Sequence, residues 1–135
     1  MIWLITGSRH APRDEVARIL TDVWQRHGAP DRVLHGACAG ADIHAADFMI
    51  ARGVYCVGMP ALWQDLGPKK AGPLRNAELL RDAIDLATIR HERLIVIAMP
   101  GPESKGTHDM LARVRKAATV FGGPEIHIHI QEVSK

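Results

Sequence analysis

The sequence predicts an α/β protein: a three-layer, Rossmann-like doubly wound fold with a mainly parallel five-stranded sheet. Short apolar runs alternate with longer segments of helical periodicity along the chain. Hydrophobic residues make up 47% of the 135 residues but aromatic residues only 4%, so the core is built mainly from Ala, Val, Ile and Leu. This composition suits parallel strands that helices cover on both faces. Strands separated by helices are expected to pair in parallel through right-handed crossovers.

The first half of the chain is predicted to form three strands and two helices. The strands are expected at residues 2–6, 32–35 and 54–58, where short apolar runs end in glycine or polar residues. A helix over 13–27 is predicted by apolar residues at helical spacing and ends at the sequence GAP. A second helix over 42–52 is expected to have Asp42 as its N-cap and to stop at Gly53.

The second half is predicted to begin with a long loop over residues 59–72, MPALWQDLGPKKAG, which is rich in Gly and Pro. Loops of this length inside a compact domain are usually functional or mobile. A helix over 73–86 is expected to start at Pro73, since proline suits the first helical position. The most apolar run, 94–98, predicts a central strand. A helix over 107–118, with Thr107 as N-cap, and a last strand over 126–130 complete the series.

Composition and charge narrow the class of protein. The chain is expected to be a single domain over residues 1–135. Its net charge of +2 is too small to predict a nucleic-acid binder from bulk electrostatics. Two cysteines without close spacing indicate reduced thiols rather than a disulfide framework. No apolar run approaches the roughly 20 residues of a membrane span, and the first ten residues do not resemble a signal peptide, so we expect a cytoplasmic protein.

Four glycine-containing loops are predicted to meet at one edge of the sheet. They contain the sequences TGSRH, HGACAGAD, KKAGPLRN and PGPESKGTHD, and each follows a strand and precedes a helix. In a parallel sheet all such loops lie at the carboxyl edge, which is where ligands of these folds bind. The returning helix-to-strand connections are shorter and carry fewer polar groups. This asymmetry predicts a binding site along the carboxyl edge.

The ligand of this edge is predicted to be anionic. Each loop leads into a helix N-terminus, where free N–H groups and the helix dipole favour phosphate or carboxylate. The glycines would let backbone amides approach an oxygen atom closely. Arg75 is expected near a helix start, where the dipole disfavours a cation unless an anion binds beside it. The other cations expected at this edge are Arg9, Lys69, Lys70 and Lys105.

Several side chains allow a structural or a functional interpretation. Asp42 is either an N-cap alone or a ligand contact as well. Trp63 is either a stacking platform for a base or an anchor of its loop. Cys38 is either a reactive thiol or a small residue in a tight turn. His127 and His129 are interpreted as residues of an exposed edge-strand face, so no metal site is predicted.

The four motifs in this order resemble the SLOG superfamily. The similarity is to its small, single-domain branch related to the proteins YspA and YpsA, and it covers residues 2–120. That branch has a loop similar to HGACAGAD, a tryptophan followed by a segment similar to AGPLRN, and a loop with Gly-Thr after the fourth strand.

The resemblance implies a Rossmann-like fold that binds a nucleotide or a nucleotide-derived ligand, such as ADP-ribose or an NAD-related molecule. No cofactor is implied beyond that ligand. The residues that the resemblance places at the ligand, together with Trp63 from the analysis above, are Gly7, Ser8, Arg9, Gly36, Gly40, Asp42, Trp63, Arg75, Asn76, Gly101, Gly106 and Thr107.

Enzymatic relatives within the superfamily, the LOG phosphoribohydrolases, release the base from nucleoside 5′-monophosphates. Their signature, similar to PGGxGTxxE, differs here: its second glycine is Pro102, and its glutamate position falls on Met110. Asp109 is one position earlier, about 100° away around a helix. An activity of this kind would use Asp109 or Asp42 as the carboxylate and Arg75 beside it.

Two kinds of macromolecular partner are considered. The DNA-processing protein DprA shares the superfamily fold, but the modest charge and the few aromatic residues argue against single-stranded DNA as a ligand. Relatives often form homodimers through helices beside the site. The helices over 42–52 and 73–86 are the candidate surfaces for a homodimer here.

Overall fold

The computed structural model describes residues 1–135 and contains five strands and five helices in an α/β arrangement. The strands are β1 Ile2–Gly7, β2 Arg32–His35, β3 Tyr55–Gly58, β4 Leu94–Met99 and β5 Ile126–Ile130. The helices are α1 Arg13–His27, α2 Ala41–Ile50, α3 Trp63–Leu66, α4 Pro68–Arg90 and α5 Lys105–Ala118. All neighbouring strands pair in parallel, in the order β3-β2-β1-β4-β5. The predicted fold class is therefore confirmed.

Helices cover both faces of the sheet and form the outer two of three layers. Helices α1 and α2 pack on one face through a cluster that includes Val16 and Met49, and on this face Trp3 of β1 is fully buried. Helices α4 and α5 pack on the other face through Leu79 and Val114. Every residue of the interior strand β4, which lies between β1 and β5, is buried, because both of its faces are covered.

The strand order creates a crevice at the carboxyl ends of β1 and β4. The chain builds outward from β1 to β3 and then crosses back to add β4 on the other side of β1. The loops that follow β1 and β4 therefore diverge to opposite faces of the sheet. Ligands of doubly wound folds bind at such a switch in strand order.

The predicted loop over 59–72 is wrong from residue 63 onward. Residues 63–66 form the single turn α3, and α4 begins at Pro68 rather than at Pro73. Two prolines compete for the first helical position, where a missing N–H costs nothing, and Pro68 occupies it. Pro73 lies inside α4. Arg75 is consequently two turns into the helix, so the argument that placed it at a helix start does not hold.

Both predicted N-caps are also wrong. Helix α2 follows Gly40, so Asp42 is its second residue, and α5 follows Ser104, so Thr107 is its third. The sequence offered a good capping residue at each place. In the structure the side chain of Asp42 hydrogen-bonds to the N–H groups of Gly36 and Cys38 instead, and Thr107 is buried.

None of the five helices has both the length and the apolar character that a membrane span requires.

The chain continues past β5 along β4. The N–H of Gln131 donates to the Ala98 carbonyl and the N–H of Val133 to the Pro100 carbonyl. Val133 is buried in the cluster beneath α1. This segment brings Lys135 to the carboxyl edge of the sheet, beside Gly101.

Candidate functional site

A cleft of about 880 Å³ opens at the carboxyl edge, where the loops after β1 and β4 diverge. It is lined by the β1–α1 loop, Cys38 of the β2–α2 loop, the start of α2, Trp63 of α3, the first half of α4, and the loop before α5 with its first turn. Only two of its 22 lining residues are hydrophobic. The residues predicted from sequence that line it are Gly7, Ser8, Arg9, Asp42, Trp63, Arg75, Asn76, Gly106, Thr107 and Asp109.

Three predicted ligand contacts, Gly36, Gly40 and Gly101, are not among the residues that line the cleft. Each allows two protein segments to approach closely. A Cβ on Gly36 would lie 2.5 Å from Nη1 of Arg75, and a Cβ on Gly40 would clash with the backbone of Ser8 and Arg9. A Cβ on Gly101 would lie 2.6 Å from the carbonyl carbon of Lys135. These glycines therefore fix the loops, whereas Gly106 is open to the cleft.

Asp42 holds the loop between β2 and α2. Its Oδ2 accepts hydrogen bonds from the N–H groups of Gly36, at 3.1 Å, and Cys38, at 3.2 Å. The carboxylate thus reaches back to the preceding loop instead of capping its own helix. Its Oδ1 is buried and has no hydrogen-bond partner. One oxygen of Asp42 is committed to the fold, and the other is a buried acceptor without a partner, on a residue that lines the cleft.

Arg75 supports the same loop from the other side. Its Nη1 donates to the carbonyl oxygens of Gly36, at 2.5 Å, and Met59, at 3.3 Å. Its Nε donates to Oδ1 of Asn76 at 3.0 Å. Most of the guanidinium hydrogen-bonding capacity is therefore used within the protein, and Nη2 has only the sulfur of Cys38 within reach.

Asn76 links α4 to α5. Its Nδ2 donates to the Gly106 carbonyl at 3.1 Å and to Oδ2 of Asp109 at 3.0 Å. Arg113 donates to the same Asp109 oxygen at 3.0 Å. Asn76 is 4% exposed, and both ends of its amide are hydrogen-bonded within the protein. Asn76 therefore holds the Asp109 carboxylate in position at the site.

Burial and nearby charge perturb two titratable groups that flank the β2–α2 loop, His35 at the end of β2 and Asp42 in the first turn of α2. Burial raises the pKa of Asp42 to about 6, although the N–H of Cys38, Arg75 and the N–H of Gly36 oppose that shift. Burial and the charge of Arg75 lower the pKa of His35. The neutral imidazole of His35 accepts the N–H of Ala37 on Nδ1 at 3.0 Å. The protein thus keeps a carboxyl group at this cleft in surroundings that disfavour its charge.

Cations without carboxylate partners surround the cleft. Arg9, Lys69 and Lys105 line it and form no salt bridge. The guanidinium carbon of Arg9 lies 5.0 Å from the ring centroid of Trp63. Helix α5 points its N-terminus at the same space, where the amides of a first helical turn lack partners within the helix.

The sequence did not single out every lining residue. Pro68 and Gly72 line the cleft because α4 begins earlier than expected. Ser104 is buried and accepts the N–H of Gly101 at 2.7 Å, which closes the loop before α5. The Pro-Gly-Pro-Glu-Ser sequence that precedes this helix was the available signal, since proline and glycine favour a turn and a serine can accept a backbone N–H within it.

The positions compared with the LOG signature differ in burial. Met110 is fully buried between α5 and the sheet, whereas Asp109 lines the cleft. The carboxylate available to this site on α5 is therefore Asp109.

Comparisons of the chain with protein-family models, with curated proteins and with solved structures found no match.

Proposed function

We propose that this protein binds a nucleotide or a nucleotide-derived ligand in the cleft at the carboxyl edge, as a sensor, sequestering or processing module. ADP-ribose, an NAD-related molecule and a nucleoside monophosphate are the ligand types in question. The observation that carries the proposal is the buried carboxylate of Asp42, whose Oδ1 has no partner at the wall of a polar cleft.

An unpartnered carboxylate oxygen is costly to keep buried. A sugar hydroxyl that donates to Oδ1 of Asp42 would complete its hydrogen bonding, as acidic residues do in other dinucleotide folds. The free cations Arg9, Lys69 and Lys105 and the N-terminus of α5 complement phosphate. The exposed ring of Trp63 offers a surface for a base.

The similarity of the four loop motifs to the SLOG superfamily supports the same proposal. The loops meet in space as that resemblance implies, although several of their glycines pack against protein rather than against the cleft. Membership of the superfamily remains part of the proposal. So does a homodimer, for which Ile43 and Ile50 on α2 and Leu74 on α4 are exposed apolar side chains.

A thermal-shift screen tests the proposal. The ligands are AMP, ADP-ribose, NAD, cyclic nucleotides, ribose 5-phosphate and a short oligonucleotide. A ligand at 100 times its Kd stabilises the fold by about 2.7 kcal/mol, which shifts the Tm by several degrees for a domain of this size. We expect a shift with a nucleotide and none with the oligonucleotide. No shift with any nucleotide would contradict the proposal.

Lys105 and Lys116 provide a matched pair of variants for the ligand found in the screen. Both lysines are exposed on α5, Lys105 in its first turn at the cleft and Lys116 in its last turn. A charge-assisted contact contributes roughly 1.5–3 kcal/mol, so Lys105→Ala should weaken binding about tenfold or more. Lys116→Ala should leave affinity unchanged, and equal effects of the two variants would argue against phosphate at this helix.

Hydrolysis of the N-glycosidic bond is a second candidate function, favoured by the two carboxylates, Asp42 and Asp109, that line one cleft. A carboxylate can stabilise positive charge on the sugar or activate water. Chromatography of nucleoside monophosphates after incubation would show a released base, and Asp109→Asn should abolish it. The control is Asp82→Asn, an exposed carboxylate on α4. If no ligand that binds releases a base, hydrolysis is excluded and binding is the only one of the two functions that remains.

A further inference from the structure

Three histidines lie together between the end of α1 and the edge strand β5. His27 is the last residue of α1, and His127 and His129 are alternate residues of β5, so the latter two share one face of the sheet. Their register partners on β4, Ile95 and Ile97, belong to the cluster beneath α1, so this is the face that α1 covers. The ring centroids of His27 and His127 are 5.0 Å apart. The end of α1 therefore meets β5 through imidazole rings.

Strand β5 is held to the sheet independently of these histidines. On its other face Ile126 and Ile128 pack against the cluster beneath α4 and α5. All five residues of β5 also pair with β4. A change at the imidazoles therefore acts on the end of α1 and leaves the strand in place.

The fixed charges around the histidines are mostly positive. Arg26 of α1 acts on both His27 and His129, and Arg93, which precedes β4, acts on His27. The carboxylate of Asp22 acts on His129, but it already forms a salt bridge with Arg26 at 3.3 Å. A protonated imidazole in this cluster therefore meets more positive than negative charge.

The surroundings of His27 and His129 favour their neutral forms. Burial lowers the pKa of His27, and the charges of Arg93, the other two histidines and Arg26 lower it further. Burial and the charge of Arg26 also lower the pKa of His129, although Asp22 opposes that shift. Nε2 of His129 is buried and has no hydrogen-bond partner. Both ring nitrogens of a protonated histidine are donors, so acid would leave a charged N–H without an acceptor at this atom.

We propose that this histidine cluster is a proton-sensitive contact, which holds the end of α1 against β5 at neutral pH and releases it in mild acid. Neutral imidazoles pack together, whereas protonated ones repel each other and the two nearby arginines. Because the pKa values of His27 and His129 are lower in the folded protein than the ordinary 6.5, the contact is intact above pH 6.5. It is lost as the pH falls through the lowered values.

Hydrogen exchange followed by mass spectrometry tests the proposal on the native protein without any ligand. Exchange is measured at pH 7.5 and 5.5, with times scaled for the intrinsic pH dependence of amide exchange. We expect the protection of residues 22–28, the end of α1, to fall about tenfold or more at pH 5.5. The end of α5, residues 112–118, serves as the internal reference and should change far less. No change at the end of α1, or an equal change in both segments, would overturn the proposal.

Two single variants assign the effect to the cluster. His127 and His108 are both exposed, but only His127 belongs to the cluster, since His108 lies on α5. His127→Gln should therefore reduce the acid-induced loss of protection at the end of α1, and His108→Gln should leave it unchanged. The double variant His27→Gln/His127→Gln should abolish it. A loss of protection that persists in His127→Gln at the wild-type level would overturn the proposal, and this exposed position keeps the test decisive if the double variant does not fold.

Discussion

At the scale of single residues, the candidate site depends on short side chains and glycines that allow loops to touch. Gly40 is the clearest case, because its φ of 76° and ψ of −123° are unfavourable for any other residue. It lies so close to the β1–α1 loop that a Cβ would overlap the backbone of Ser8 and Arg9. The sequence predicted that this glycine matters, but gave a ligand rather than a neighbouring loop as the reason.

Gly40→Ala is therefore expected to destabilise the protein far more than Gly53→Ala. Both glycines have positive φ, 76° and 72°, so both substitutions carry a backbone strain of about 1–3 kcal/mol. Only Gly40 adds a steric clash, since a Cβ on Gly53 would meet nothing within 4 Å. Chemical denaturation of both variants measures the difference. Equal losses of unfolding free energy would show that the loops are free to separate.

At the scale of elements, the sequence located the strands well and the start of α4 poorly. Parallel strands are continuous apolar runs, and β4 was evident because every one of its six residues is buried. The start of α4 was ambiguous, because two prolines five residues apart both suit a first helical position. Helix α3 has a single turn and no buried residue, so no periodicity could reveal it.

Helix α3 offers a matched test of the cleft wall. The side chains of Trp63 and Leu66 are both 38% exposed, but only Trp63 lines the cleft. If the base of a nucleotide stacks on the indole, Trp63→Ala should weaken binding by about 1–3 kcal/mol. Leu66→Ala should leave the Kd unchanged, and titration calorimetry of both variants measures it. Equal effects of the two substitutions on the Kd would mean that the indole ring of Trp63 does not stack on the base and that α3 only forms part of the cleft wall.

At the scale of the whole molecule, the fold could be predicted from the sequence because the alternation of short apolar runs with helical segments is repeated along the chain. The site followed only in part. The motif residues were found, but Asn76 and most of Arg75 proved to be hydrogen-bonded within the protein. Such pairings join segments up to 39 residues apart in the chain, and no local pattern encodes which partner a side chain selects.

The stability of the whole molecule should depend on pH through Asp42. Its pKa rises from 3.8 to about 6 on folding, so the folded protein binds this proton more tightly than the unfolded chain. The contribution of Asp42 to folding stability therefore falls as the pH rises from 3.8 to about 6, by roughly 3 kcal/mol in all. His35 acts in the opposite direction, because its lowered pKa makes protonation destabilising. The difference in unfolding free energy between wild type and Asp42→Asn, measured across this pH range, isolates the contribution of the Asp42 carboxyl group.

The central claim is that Asp42 is retained for a ligand at a cost in stability, and one comparison tests it most directly. The unfolding free energy and the affinity for the best nucleotide of the screen are measured for wild type and Asp42→Asn at pH 7.5. We predict that Asp42→Asn is at least as stable as wild type, because no buried charge remains, and binds the nucleotide at least tenfold more weakly. A variant that is less stable but binds with unchanged affinity would contradict the claim and make Asp42 a purely structural residue.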